Sequence, residues 1–130
     1  VLEHLHELRD KLEQVRASLA TDGMLLLALP MNDSWDASYY KEKWAAYDVP
    51  RHLYHFNLAS VDYLAKDWGF EILGKHPMVF DSYYVSLLSE QYLSGKKNYP
   101  KAFMKGWKSN RKAKSPSIPH SSMIFVARKL

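Results

Sequence analysis

The run Thr21-Asp22-Gly23-Met24-Leu25-Leu26-Leu27-Ala28-Leu29-Pro30 decides the fold. After the glycine, Met24 to Leu29 carry no polar residue, and Pro30 ends the run. A stretch of this kind is expected of a strand covered on both faces in a parallel sheet, where neither face meets water. Gly23 is expected to take the left-handed conformation that often follows a helix end. Immediately upstream, Leu5, Leu8, Leu12, Val15 and Leu19 fall three and four residues apart with Glu, Lys and Arg between them. That spacing predicts an amphipathic helix over 5–19. Helix, tight turn and apolar strand together make a unit of α/β type.

Downstream, 31–50 is rich in Asn, Asp, Ser and aromatics and reads as a long loop over the strand's C-terminal end, with a short helix within 36–47. Asn57 is placed to cap a helix whose buried face is Val61, Leu64, Ala65 and Trp68, and Gly69 ends it. A strand is expected over 70–80. Pro77 donates no ladder hydrogen bond, which favours an edge position or a bulge. Two helical stretches follow, 82–93 and 99–113, forming an insertion over 82–114 before a last strand at 123–129. Tyr84, Leu87, Leu88 and Gln91 share a face of the first. Phe103 and Trp107, four apart beside Gly106 and Asn110, are expected to be buried in the second.

A chain of 130 residues, 47% hydrophobic, can bury a core without disulfides or metal. It has no cysteine, which excludes thiolate chemistry and suits a reducing, cytoplasmic setting. No apolar stretch approaches the ~20 residues of a bilayer crossing, so no membrane partner is expected. The net charge of +4 is unevenly spread. Lys96, Lys97, Lys101, Lys105, Lys108, Arg111, Lys112 and Lys114 fall in one stretch without an acid, and removing them leaves the remainder at −4. Attraction to phosphate or anionic lipid would therefore be local to that stretch.

Four pieces of sequence, in this order, carry a resemblance: Val1-Leu2-Glu3-His4, the run Asp22 to Pro30, Pro50-Arg51-His52-Leu53-Tyr54-His55-Phe56, and Trp68-Gly69-Phe70-Glu71. Together they resemble the C-terminal half of a class I S-adenosylmethionine-dependent methyltransferase, and the third piece resembles ubiquinone-type and other small-molecule O-methyltransferases. The resemblance covers essentially the whole chain. It implies one partial domain over 1–130, the second half of a seven-stranded Rossmann-like sheet, with S-adenosylmethionine as the cofactor of the complete enzyme. It also implies that the strand near Met24 lies beside the final strand, which runs antiparallel between it and the strand at Glu71. The Gly-x-Gly turn and ribose-binding acid that would hold the cofactor are not among these residues. Cofactor-binding residues are therefore unassigned, and the chain alone is expected to be inactive and not to bind the cofactor usefully. With its other neighbour missing, the strand near Met24 is expected to leave an open edge, and copies are expected to associate through that edge or through a swapped or rearranged N-terminal helix.

In open α/β sheets ligands bind beyond the C-terminal strand ends, which puts Glu3, His4 and the loop after Leu29 at the site. The resemblance implies catalytic roles for Glu3 and His4 on the substrate side; an imidazole titrating near ~6.5 can take a phenolic proton. The alternative is that the pair merely begins the helix. Arg51, His52, Tyr54 and His55, with the aromatics Tyr40 and Trp44 and the neighbouring Tyr47, are expected to form a polar rim on an aromatic cavity for a small-molecule methyl acceptor. Adjacent Glu3 and His4 make a poor metal site by themselves, and none is assigned. A rival function is a basic nucleic-acid module, or part of an RNA methyltransferase, using Lys96 to Lys114 with Tyr99, Phe103 and Trp107. Expected burial of the aromatics makes nucleic acid the weaker partner.

Overall fold

A computed structural model describes all residues from Val1 to Leu130. A 3₁₀ turn at Leu2–His4 leads into α1 (Leu8–Ser18) and then β1 (Met24–Pro30). Short α2 (Trp35–Tyr40) is followed by 3₁₀ turns at Lys41–Lys43 and Ala45–Tyr47. Next come α3 (Leu58–Asp67), β2 (Phe70–Pro77), the helical pair α4 (Asp81–Ser94) and α5 (Tyr99–Lys112), and finally β3 (Ser122–Lys129). No helix is long and apolar enough to cross a membrane.

The three strands form one sheet in the order β1-β3-β2, with β3 antiparallel to both neighbours. Leu26 stands opposite Val126 on one side of β3, and His76 opposite Ile124 on the other. The central place of the last strand agrees with expectation. So does the edge position of β2, whose register also shifts between Ile72 and Gly74. Asn57 caps α3 through a reciprocal pair of hydrogen bonds with Ser60, and Gly69 takes φ 71° just past the helix end.

Two expectations about the deciding run are corrected. β1 is covered on one face only. Leu25, Leu27 and Leu29 turn inward against Leu12 of α1 and Val61 and Ala65 of α3, whereas Met24, Leu26 and Ala28 face outward, with Leu26 67% exposed. Both covering helices lie on the same side of the sheet, so the second face has no layer over it. At the turn before β1, Asp22 and not Gly23 is left-handed, at φ 59°. Gly23 is needed for space instead: a Cβ there would lie 2.8 Å from the Ala20 carbonyl oxygen and 2.9 Å from the Leu19 Cβ.

The sheet core gathers Leu2, Leu8, Leu12, Leu29, Met31, Phe56, Val61, Met123 and Phe125. A second core lies among α2, the turns after it, and α4, and contains Ala37, Tyr40, Trp44, Ala45 and Val85. Its surroundings are polar. Buried Asp36 accepts hydrogen bonds from Trp44 Nε1 (2.8 Å), Ser109 Oγ (2.7 Å) and Ser121 Oγ (2.6 Å). Buried Glu90 accepts from the Tyr40 hydroxyl (3.0 Å) and pairs with Lys101 Nζ (2.9 Å). The inward face of α4 is Ser82, Val85, Ser86, Ser89 and Glu90; of Tyr84, Leu87, Leu88 and Gln91, which share another face, Tyr84 is exposed and the rest are half-buried. α5 packs through Ala102, Gly106 and Ser109. Phe103 and Trp107 are therefore not buried but stand 63% and 49% exposed.

Candidate functional site

Leu2 anchors the N-terminal 3₁₀ turn in the sheet core and carries Glu3 and His4 with it. The segment after the Ala45–Tyr47 turn reaches the same place. The Glu3 carbonyl accepts from the Leu53 amide at 2.6 Å, so the 48–56 loop is tied to the turn backbone to backbone. That tie brings His52 against His4, with ring centroids 4.6 Å apart and edge to face. Residues far apart in the chain thus form one cluster.

Hydrogen bonding sets what this cluster can do. His4 Nδ1 lies 3.0 Å from the Arg51 carbonyl oxygen, and His52 Nδ1 lies 2.8 Å from that of Ala46. A carbonyl can only accept, so in each neutral ring Nδ1 carries the proton and Nε2 keeps a free lone pair. His4 Nε2 is 3.8 Å from Glu3 Oε1, and His52 Nε2 is 3.8 Å from Asp48 Oδ2. Burial alone would raise the Glu3 carboxyl. The bond it accepts from the Val1 ammonium of this chain (2.8 Å) and the one from its own backbone amide outweigh that and hold it below the ordinary carboxylate value, with a smaller contribution from His52 when that ring is protonated. The cluster therefore combines an ionised carboxylate with two proton acceptors. Glu3, His4 and His52 each offer one ligand atom within 4.8 Å of the others, a carboxylate and two imidazoles of the kind a divalent transition metal accepts.

Glu3 and His52 open on a cavity of about 260 Å³ at the C-terminal end of β1. Its walls are Ala28, Leu29 and Pro30 of β1, Ala46 of the aromatic loop, Ser122 of β3, Met78 just past β2, and Asp81, Tyr84 and Val85 from the start of α4. The strand-end rule locates the cavity from Glu3 and Leu29. The same rule applied to β2 points to Met78, Asp81 and Tyr84, which sequence reasoning missed; their position just past Pro77 is the signal.

The other expected rim residues lie elsewhere. Tyr40 and Trp44 are buried in the second core, their polar atoms held by Glu90 and Asp36. Burial, with the nearby Glu90 carboxylate, pushes the Tyr40 phenol far above its ordinary value, so it stays a hydrogen-bond donor. Arg51 points to solvent and forks onto Asp48, contributing to the site only its carbonyl. Tyr54 leans toward the His6 carbonyl on the far side of the turn, at 3.5 Å. His55 is exposed with its ring 5.0 Å from that of Tyr47. Of the residues singled out in the sequence, the structure brings together Glu3, His4 and His52.

Comparison with solved structures defines the class of fold to which this arrangement belongs. It is a methyltransferase-like α/β fold. The chain matches phosphoethanolamine N-methyltransferase 2 of Haemonchus contortus in complex with phosphomonomethylethanolamine and S-adenosylhomocysteine, at TM-score 0.50 and 18% identity over 98% of this chain and 31% of that one. It matches the selenomethionine form of the same enzyme in complex with S-adenosyl-L-methionine equally well, at TM-score 0.50 and 18% identity over 99% of this chain and 31% of the other. This chain therefore spans under a third of the enzymes it resembles. No protein-family model and no curated protein matches it.

Proposed function

We propose that this chain forms the acceptor side of an S-adenosylmethionine-dependent methyltransferase acting on a small molecule. One observation carries the reading: in a methyltransferase-like fold, Glu3 and His52 line a cavity at the C-terminal end of β1, with His4 packed on His52. His4 or His52 takes the proton from the acceptor's nucleophilic atom through Nε2, and Glu3 stabilises the imidazolium that results. Methyl transfer is an in-line displacement, so the rest of the cavity contributes position and exclusion of water. The cofactor's own groove, the remaining strands of a seven-stranded sheet and the ubiquinone-type subfamily belong to this proposal, as does a cytoplasmic setting. The free outer edge of β1 is offered as a point of self-association.

Amide shifts in the chain titrated with small phenols, catechols and amines test the acceptor side. The expected result is perturbation confined to 2–4, 46–52 and 78–85, abolished by His4→Ala with His52→Ala. Perturbation scattered over the surface would defeat it. Calorimetric titration with S-adenosylmethionine is expected to show no micromolar binding by this chain alone.

A further inference from the structure

The exterior of α5 is built differently from its interior. The helix turns Ala102, Gly106 and Ser109 inward, Gly106 against α4 and Ser109 onto Asp36 of α2. The approach is so close that a Cβ on Gly106 would sit 2.8 Å from the Tyr83 Cα. Its large apolar side chains are left outside: Phe103 63%, Met104 65% and Trp107 49% exposed, joined by Phe80 at the adjoining start of α4, 83% exposed. Asn110 Nδ2 bonds the Val79 carbonyl at 2.9 Å, which holds that start of α4 against the same stretch of α5. On the neighbouring side, Lys101, Lys105, Lys108 and Lys112 recur at four-, three- and four-residue spacing. Of the eight cations between 96 and 114, only Lys101 is paired with a carboxylate.

We infer that this face docks on an anionic membrane surface, with α5 lying in the plane of the headgroups. An apolar aromatic stripe beside a lysine stripe, on a helix otherwise polar and too short to span, is the physical signature of an interfacial helix. Lys105 and Lys108 lean over the Tyr39 and Trp35 rings of α2, at 4.0 and 5.1 Å, and the ammonium groups of the stretch are free of carboxylates other than that of Glu90, so they can reach lipid phosphates and carboxylates. Nothing spans the bilayer. The contact adds surface attachment to the proposed methyl transfer and does not depend on it. Nucleic acid fits the same charge less well, because stacking needs free ring faces. One face of Phe103 is stacked on Tyr83 at 5.2 Å, the Arg111 guanidinium lies 5.3 Å over the Trp107 ring, and Met104 has no ring.

Co-sedimentation of the full chain with vesicles of phosphatidylcholine, alone or mixed with phosphatidylserine, tests the inference. Binding is expected to the mixed vesicles only, and to weaken with salt. Phe103→Ser with Trp107→Ser should lower partitioning at least about tenfold. Lys112→Gln and Lys114→Gln should each lower it about fivefold. All four side chains are exposed, so an unchanged circular dichroism spectrum is the control for folding. Absence of binding to mixed vesicles overturns the inference, as does equal binding to neutral vesicles. Capture of a single-stranded oligonucleotide with no capture of mixed vesicles overturns it in favour of nucleic acid.

Discussion

The sheet half and the helical half of this molecule differ in what they bury beside their apolar side chains. Around the sheet the interior is apolar, from Leu2 to Phe125. Between α2, α4 and α5 it is lined by Ser34, Asp36, Ser82, Ser86, Ser89, Glu90 and Ser109, and large apolar side chains such as Phe103 stand outside. The difference is one of specification. An apolar core tolerates rearrangement at constant volume, whereas a buried carboxylate holding three donors permits one geometry.

The largest expected effect therefore belongs to the polar interior. Asp36→Ala leaves the Trp44 indole N–H and the Ser109 and Ser121 hydroxyls without their acceptor. The loss should be about 3–5 kcal/mol, the worth of several charge-assisted bonds discounted for non-additivity. Urea unfolding measures it. Amide exchange then sharpens the contrast: α2, α4 and α5 should lose protection before β1 and β3 do. A cost below about 1 kcal/mol would mean that the buried network specifies nothing that the apolar core does not already supply.

The two faces of β1 offer the next test. Leu29→Ala empties a site in the sheet core and should cost about 2–4 kcal/mol. Leu26→Ala, three residues earlier on the open face, should cost under about 0.5 kcal/mol. If the outer face or edge of β1 mediates self-association, Leu26→Lys should also shift the species seen by light scattering toward monomer without loss of stability. Equal costs at the two positions would show that something covers both faces in solution.

The same contrast explains what is legible in the sequence. The strand at 24–30, the Asn57 cap, the edge strand at Pro77 and the central place of the last strand agree with local chemistry or with the resemblance: apolar runs, a capping amide, a missing N–H, a shared order of elements. The one-sided cover of β1 is not legible, because an unbroken apolar run reads identically whether its second face is packed or open. The helical half resists reading for a deeper reason. Periodicity assumes that the buried stripe is the apolar one, and here Ser and Gly stripes pack inward while Phe103 and Trp107 point out. At the site, position at a strand end places Glu3 and His4, but which of Arg51, His52, Tyr54 and His55 joins them depends on the Glu3 to Leu53 backbone bond, and that has no sequence signature.

The smallest effect separates the halves by pH. His120 sits beside the helical half, hydrogen-bonded to Asn110 at 3.0 Å, and His55 lies on the loop near the sheet. Burial lowers both from the ordinary 6.5, aided at His55 by the charge of His52 and partly opposed at His120 by Asp36. A lowered native value means that the unfolded chain binds the proton first. The stabilisation is complete above about pH 6.5 and is lost as the pH falls through the native values. Glu3 adds a second, more acidic stage of the same sign, complete above its ordinary 4.5 and lost as the pH falls through its lowered value. Stability should thus decline modestly on acidification from neutrality, and proton titration of the imidazoles should place His55 and His120 below 6.5. His120→Gln should flatten the upper stage of the decline while leaving the His55 titration in place. A His120 that titrates above 6.5 would instead mean that the buried Asp36 carboxylate, and not desolvation, governs that end of the molecule.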